Sequence, residues 1–372
     1  MVYLDNAATS FPKSEDVLNA MKEAFYTCGN GGRGGHPLAV KASETIYGCR
    51  EVLSELFGTA PERIVLTGSA TAALNIAIKG LAVGKGDALC SVMEHNAVLR
   101  PLYSVFPRRL RILDIDLNSS ERSLQTATKK MKDGVSLAVF THASNVCGIK
   151  LPVKELCEEA HRKGIITIVD CAQSAGHLPV NIEELGADVI CFPGHKGLGG
   201  AMGVGGLAVH PRRELNFKTL IEGGTGTASK DRFMPPVLPE RLEAGTANVT
   251  GIAALAAACK ALKLESEKEE SLRAEAVKAL KALKGVTVYA TGWDGGYAPV
   301  VAFNIDGIQS EKAAEALAEK GVFVRGGLHC APLAHTALST GKYGAIRASF
   351  GKSNTAEDVD ALIKAVAEVG KI

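Results

Sequence analysis

The chain of 372 residues carries 42 Lys plus Arg against 40 Asp plus Glu, a net charge of +2, and it is long enough for two or three domains that need no disulfide or metal support. With no basic tail and no block of one sign, it lacks the electrostatic footprint of a nucleic-acid partner. The longest wholly apolar run, Ile252–Cys259, is far too short to cross a bilayer. MVYLDNAATS has neither the basic nor the apolar region of a secretory signal, so a cytoplasmic protein without a membrane partner is expected.

From about residue 60 to 210, short apolar runs alternate with helical patterns. RIVLTG (63–68), DALCSV (87–92), LRILDI (110–115), VSLAVFT (135–141), GIITIVD (164–170), ADVICF (187–192) and GGLAVH (205–210) predict strands. Most are apolar nearly throughout, as strands covered on both faces are. Thr71–Leu81 and Val153–Lys163 fit helices between them, and the alternation implies a mostly parallel sheet with helices on both sides. The amphipathic, charged stretch 264–284 predicts a long helix at a domain boundary. VTVYA (286–290), PVVAFNI (299–305), a helix near 309–320, GVFVR (321–325), AIRASF (345–350) and a last helix at 355–369 then predict a smaller α+β domain.

Nine cysteines (28, 49, 90, 147, 157, 171, 191, 259, 330) include no CxxC pair, and neither Cys nor His shows metal-ligand spacing, so no metal is expected. Cys90 and Cys191 lie in strand text and read as small buried hydrophobes.

In open parallel sheets ligands sit at the carboxyl ends of strands, and five such ends carry unusual text. TGSATAALN (67–75) sets Ser69, Ala70 and Thr71 at a helix start, where backbone N–H groups and the helix dipole suit a phosphate. MEHNAVLRP (93–101) puts His95 past a strand, and THASNVCG (141–148) does the same for Asn145. IVDCAQSAGH (168–177) ends a buried run on Asp170, with Gln173 following. CFPGHKGLGG (191–200) carries Lys196 in a Gly-rich loop. Each feature alone also reads as a cap, a turn signal or a solvated lysine. The combination is more specific, because Asp170 and Lys196 end two successive strand runs, 26 residues apart. Pyridoxal 5'-phosphate needs a lysine amine for its Schiff base, an acid facing its ring nitrogen and a phosphate cradle. Lys196, Asp170 and Ser69–Thr71 would meet those needs in turn, with His95 stacked on the ring.

With YLDNAAT (3–9), RLEAGTANVTGIAAL (241–255), VRGGLHCAP (324–332) and IRASFGKSNTAEDVD (346–360) added, the chain resembles the cysteine desulfurase and selenocysteine lyase family nearly end to end. That family lies in the class V aminotransferase group of fold type I pyridoxal phosphate enzymes. The resemblance implies an α/β fold with a mostly parallel, seven-stranded large domain over residues 14–260. Residues 1–13 and 261–372 would form a smaller α+β domain. It implies Lys196 as the Schiff-base lysine, Asp170 on the ring nitrogen, Gln173 on the phenolic oxygen and His95 over the ring. Thr71 and His195 would contact the phosphate. A homodimer is implied, in which Gly224 and Thr225 of GGTGT (223–227) complete the neighbouring subunit's phosphate site. Arg347 matches the arginine for the substrate α-carboxylate, with Asn145, Arg325 and His36 as further substrate contacts. Cys330 matches the nucleophile that takes sulfur from L-cysteine, or selenium from L-selenocysteine, and hands it to an acceptor protein or a small thiol. Catalysis would thus rest on Lys196, Cys330 and His95, and the neighbouring Arg325 and His329 would favour the Cys330 thiolate.

Three departures stand out. Pro193 occupies a position where the family often has a phosphate-binding Ser. Ala72 stands where Glu is common, and Leu328 where many relatives have His. Only 16 residues separate Cys330 from Arg347, which resembles the branch with a short, ordered catalytic loop. Other class V reactions (selenocysteine lysis, elimination, kynureninase-like hydrolysis or amino transfer) are the alternatives, and Cys330 discriminates, since most of them need no thiol there.

Overall fold

The computed structural model describes residues 1–32, 34–82, 84 and 86–371. The chain opens with a short strand, β1 (Val2–Tyr3), and two helices, α1 (Glu15–Thr27) and α2 (Pro37–Phe57). Alternation follows: β2 (Ile64–Thr67), α3 (Ala70–Leu81), β3 (Asp87–Ser91), α4 (Asn96–Val105), β4 (Leu110–Leu113), α5 (Ser120–Lys130), β5 (Val135–Thr141), α6 (Val153–Arg162), β6 (Ile166–Asp170), α7 (Ile182–Leu185), β7 (Val189–Pro193), β8 (Gly205–Val209) and α8 (Val249–Lys260). The last third holds α9 (Ser266–Ala282), β9 (Val286–Val288), β10 (Val300–Ile305), α10 (Ser310–Glu319), β11 (Val322–Phe323), α11 (Pro332–Ala337), β12 (Ile346–Ser349) and α12 (Ala356–Val369).

The seven runs predicted between 63 and 210 each contain one strand, and these form one sheet in the order β2-β8-β7-β6-β5-β3-β4. β7, β6, β5, β3 and β4 run parallel, and β8 is antiparallel to both neighbours. Side chains of β5 alternate between faces, as strand geometry requires. Leu137 and Val139 enter one core with α3 and α4, while Ala138 and Phe140 enter the other with α2 and α6. Both faces are therefore covered, which explains why the run is apolar throughout.

The smaller module packs α9, α10 and α12 on the antiparallel sheet β12-β10-β9. The chain start belongs with it: β1 pairs in parallel with β11, and Leu4 is buried in the same cluster. His177, after β6, and Glu269 of α9 join the two modules through a buried contact of 2.8 Å between Nδ1 and Oε2. All nine cysteines are free. Seven are buried, Cys28 is half-buried and Cys330 is exposed. Among the described residues, no helix is long and apolar enough to cross a membrane.

Parallel pairing aligns the strand ends. Thr141 of β5 lies beside Asp170 of β6, and Asp170 beside Cys191 of β7. Two glycines let backbones meet there. A Cβ on Gly205 would lie 2.8 Å from the Ser69 carbonyl carbon, so β8 touches the start of α3. Gly176 has φ +89°, and a Cβ on it would lie 2.1 Å from the Gly197 carbonyl carbon, beside Lys196. Gly176→Ala is therefore expected to lower stability by about 2 kcal/mol or more, because neither backbone can yield cheaply. Denaturant unfolding would measure this, and a wild-type midpoint would contradict the close approach.

Between β3 and α4, Glu94 is fully buried. Its Oε1 accepts hydrogen bonds from Ser91 Oγ (2.6 Å) and from Thr141 N (2.9 Å), tying the ends of β3 and β5 together. Burial pushes its pKa from 4.5 up to about 8, against the pull of these donors. The folded protein thus holds a proton that the unfolded chain releases. Glu94's contribution to stability is complete below pH 4.5 and is lost as pH rises through about 8. Glu94→Gln keeps the acceptor and cannot ionise. Its stability relative to the parent should rise by a few kcal/mol between pH 5 and 8.5, and parallel pH profiles would show that Glu94 does not titrate there.

Candidate active site

A cavity opens where the strand ends meet. Ser69, Ala70 and Thr71 line it from the start of α3, His95 from the start of α4, and Asn145 from the loop after β5. Asp170 and Gln173 come from the end of β6, and His195 and Lys196 from the loop after β7. Nine predicted residues thus share one cavity, with Thr141 and Pro193 also in its wall.

Local structure fixes each group. Ser69 caps α3, its Oγ accepting from Ala72 N at 3.2 Å. The N–H groups of Ala70 and Thr71 at that helix end have no intrahelical acceptor. His95 caps α4 through Nδ1, which accepts from Ala97 N at 3.0 Å. A proton on a neutral ring must then sit on Nε2. Burial, reinforced by Lys196, lowers the His95 pKa to about 4, so the ring is neutral near pH 7. His195 is likewise lowered to about 4, mainly by burial, and its buried Nδ1 has no partner. Lys196 is lowered to about 8 by burial and by Arg347, with Asp170 pulling the other way. Asp170 is raised by burial, although Ala172 N donates to its Oδ1 at 2.9 Å. Gln173 Nε2 donates to Ala7 O at 3.0 Å.

Beside the cavity, Arg347 of β12 is buried. Its Nη1 donates to Asn145 O at 3.0 Å and its Nη2 to Asp5 Oδ1 at 2.8 Å. Arg325 makes a two-point pair with Asp5, from Nη2 to Oδ2 at 2.7 Å and from Nε at 3.0 Å. Cys330 is exposed, and its carbonyl accepts from Asn96 N at 2.7 Å, next to His95. Asn145 Nδ2 donates to the preceding carbonyl, His329 O, also at 2.7 Å. Cys330 therefore sits where α4, the loop after β5 and β12 converge.

The structure does not bring every predicted residue to this place. His36 is exposed and caps α2 by accepting from Ala39 N. Gly224 is exposed and Thr225 half-buried, in a surface loop whose Gly226 approaches Gly32. None of these three lines the cavity. His329, expected with Arg325 to favour the Cys330 thiolate, brings no positive charge to it. Burial and Arg347 lower its pKa to about 3, so it is neutral at physiological pH and only Arg325 brings a flanking charge.

Sequence reasoning missed three residues. Asp5 holds both arginines although it lies 342 positions from Arg347. Lys13 donates to His195 O at 2.7 Å, and Glu94 ties strand ends behind His95. For Asp5 a signal existed, since it is a lone carboxylate directly after a short apolar strand, where charge needs a partner.

The chain matches the family described as Aminotransferase class-V over residues 2–362. It is 31% identical to a probable cysteine desulfurase of Methanothermobacter thermautotrophicus, covering 99% of this chain and 94% of that protein. A probable cysteine desulfurase of Halalkalibacterium halodurans is 33% identical, with 98% and 92% covered. Among solved structures, the apo cysteine desulfurase of Thermococcus onnurineus NA1 superimposes with a TM-score of 0.88 at 30% identity, covering 100% of this chain and 94% of that one. The cysteine desulfurase CsdA of Escherichia coli gives 0.87 at 28%, with 99% and 94% covered. From strand order to strand-end residues, and by these likenesses, the chain belongs to the class-V aminotransferase family, as a relative of its cysteine desulfurases.

Proposed function

We propose that this protein is a pyridoxal 5'-phosphate-dependent cysteine desulfurase, converting L-cysteine to L-alanine and retaining the sulfur as a persulfide on Cys330. The observation that carries the reading is the exposed Cys330, held against the start of α4 beside a buried Lys196–Asp170 cavity, with Asn145 bridging its loop to Arg347. Class-V aminotransferases and cysteine desulfurases depend on pyridoxal phosphate, and the residues present fit that group. The open end of α3 at Ala70 and Thr71, with the unpartnered Nδ1 of His195, suits the phosphate. Asp170 suits the ring nitrogen, Gln173 the phenolic oxygen, the neutral His95 ring the cofactor's face and Lys196 the aldehyde. Pro193 offers no hydroxyl, so the helix end and His195 carry more of the phosphate's binding.

When bound, the cofactor supplies an electron sink for charge that develops at the substrate α-carbon. The chain's own groups do the rest. Arg347 and Asn145 hold the α-carboxylate and thereby orient the substrate's Cα–H and Sγ. Lys196, with its pKa lowered to about 8, reaches its free amine near neutral pH and serves as the base at Cα. The Cys330 thiolate attacks the substrate Sγ, forming the S–S bond. The Cβ–Sγ bond breaks with its electron pair left on carbon; protonation of that carbon, and return of the proton from Lys196 to Cα, yield L-alanine.

Gly224 and Thr225 are assigned to the phosphate site of a second copy, and His36 remains a candidate substrate contact. The outward-facing Phe25 (70% exposed), Tyr26 (79%) and Phe233 (86%) support a homodimer that covers them. Residues 14–260 are taken as the cofactor domain, and 1–13 with 261–372 as the small domain. The short segment from Cys330 to Arg347, folded around α11, gives Cys330 little reach. The sulfur acceptor is therefore a protein that docks closely or a small thiol.

Alanine formation from L-cysteine tests the assignment. Parent protein should form alanine, Cys330→Ala should form none while keeping the cofactor's visible absorbance, and Lys196→Ala should lose the covalently held chromophore. Alanine from Cys330→Ala at the parental rate would refute the persulfide step and favour a selenocysteine or sulfinate substrate. The rate at which apoprotein captures pyridoxal phosphate should rise about tenfold per pH unit below 8 and level off above it, because only the neutral Lys196 amine reacts. A pH-independent rate between 6 and 9, read by stopped-flow absorbance, would contradict the lowered lysine pKa.

A further inference from the structure

Beyond the reaction, the arrangement of charge around Arg347 bears on which amino acids the site accepts. Two guanidinium groups and one carboxylate meet there: Arg347, Arg325 and Asp5. Their sum is a single positive charge, which one substrate α-carboxylate neutralises. The buried Arg347 still has an unpartnered N–H at Nε, after donating to Asn145 O and to Asp5. A buried guanidinium N–H without an acceptor is costly, so this side chain is poised for an incoming anion. Arg325 differs. Its side chain is 53% exposed, and Asp5 engages it through both Nε and Nη2. Its backbone pairs with that of Arg347, and its segment leads five residues on to Cys330. Arg325 therefore stands on the side of the site towards which a substrate side chain must extend to meet the thiol.

We propose that Asp5 is a specificity-determining residue that restricts the site to amino acids with one acidic group. Tied to Asp5 at two points, Arg325 is not free to receive an acidic side chain. Such a side chain has to break that charge-assisted pair or lie against the Asp5 carboxylate as an unpaired like charge. Neutral or thiol side chains meet neither obstacle. The inference rests on the desulfurase reading in one respect, that the substrate carboxylate goes to Arg347 and its side chain towards Cys330.

L-Aspartate and L-asparagine test it, since they share a shape and differ by one charge. Their dissociation constants would be measured by calorimetry on the cofactor-loaded protein. The parent should bind asparagine at least as tightly as aspartate. Asp5→Asn removes the charge at constant shape and should shift the ratio of the two constants towards aspartate by roughly tenfold, an effect that weakens at high salt. Arg325→Gln alters a half-exposed side chain, so it remains informative if Asp5→Asn does not fold. Leaving the Asp5 charge less compensated, it should shift the ratio several-fold towards asparagine. Equal weakening of both ligands, with the ratio unchanged within twofold in these variants, would reduce Asp5 to a structural anchor and overturn the proposal. Turnover of L-cysteine in the same samples keeps the two readings apart. A parent that shows the ratio shifts but makes no alanine leaves the Asp5 assignment standing and sinks the desulfurase one.

Discussion

One carbonyl oxygen receives four donors. His195 O accepts from Ser10 N, Thr9 Oγ1, Ser10 Oγ and Lys13 Nζ, all from the segment that opens the chain. The peptide bond leading into Lys196 is therefore held by residues more than 180 positions earlier. The same segment ties the floor of the cavity to the small domain. Ala7 O accepts from Gln173, Ala7 N donates to Ser349 Oγ, and Asp5 binds the two arginines. Neither the end of β6 nor the loop after β7 contacts those arginines through its own hydrogen bonds. The relative placement of Lys196, Asp170 and Arg347 depends on this opening segment, anchored at one end by β1 pairing with β11.

What the sequence made legible follows from how far each signal has to travel along the chain. Strands covered on both faces announce themselves as apolar runs, and their ends point to the ligand side by topology alone. Asp170 and Lys196 were readable for that reason, and Ser69–Thr71 were readable as a helix start. The N-terminal helices α1 and α2 were not anticipated; in α2 the apolar pattern is interrupted by Ser43, Thr45 and Gly48. Lys13 was silent because its partner lies far along the chain, and the lone carboxylate of Asp5 signalled a need for a partner without telling which distant residues supply it. Glu94 was silent because its charge depends on burial, which no local pattern reports. His329 was misread for the same reason, since proximity in sequence to Cys330 said nothing of its desolvation.

The loop that carries Cys330 is fixed against its own backbone preference. His329 and Cys330 have φ of +48° and +56°, two successive left-handed residues that are not glycine. Each such conformation costs on the order of 1–2 kcal/mol. It persists where the surroundings over-determine it. Here Asn96 N donates to Cys330 O, Asn145 Nδ2 donates to His329 O, and Ala345 O accepts from His329 Nε2. The thiol's position is thus dictated by the walls of the cavity more than by the chain on either side of it.

On the proposed reading, in which sulfur is held as a persulfide on Cys330, the burial of the other cysteines acquires meaning. Sulfur passes between thiols only when the receiving one is a thiolate. Burial pushes Cys49 and Cys157 up to about 12 and raises Cys90, Cys147, Cys171, Cys191 and Cys259 as well. At neutral pH these seven buried thiols hold almost no thiolate. The fold acts as insulation around a conductor with one terminal. A sulfur atom placed on Cys330 meets no receptive thiol in the core, so it travels outward.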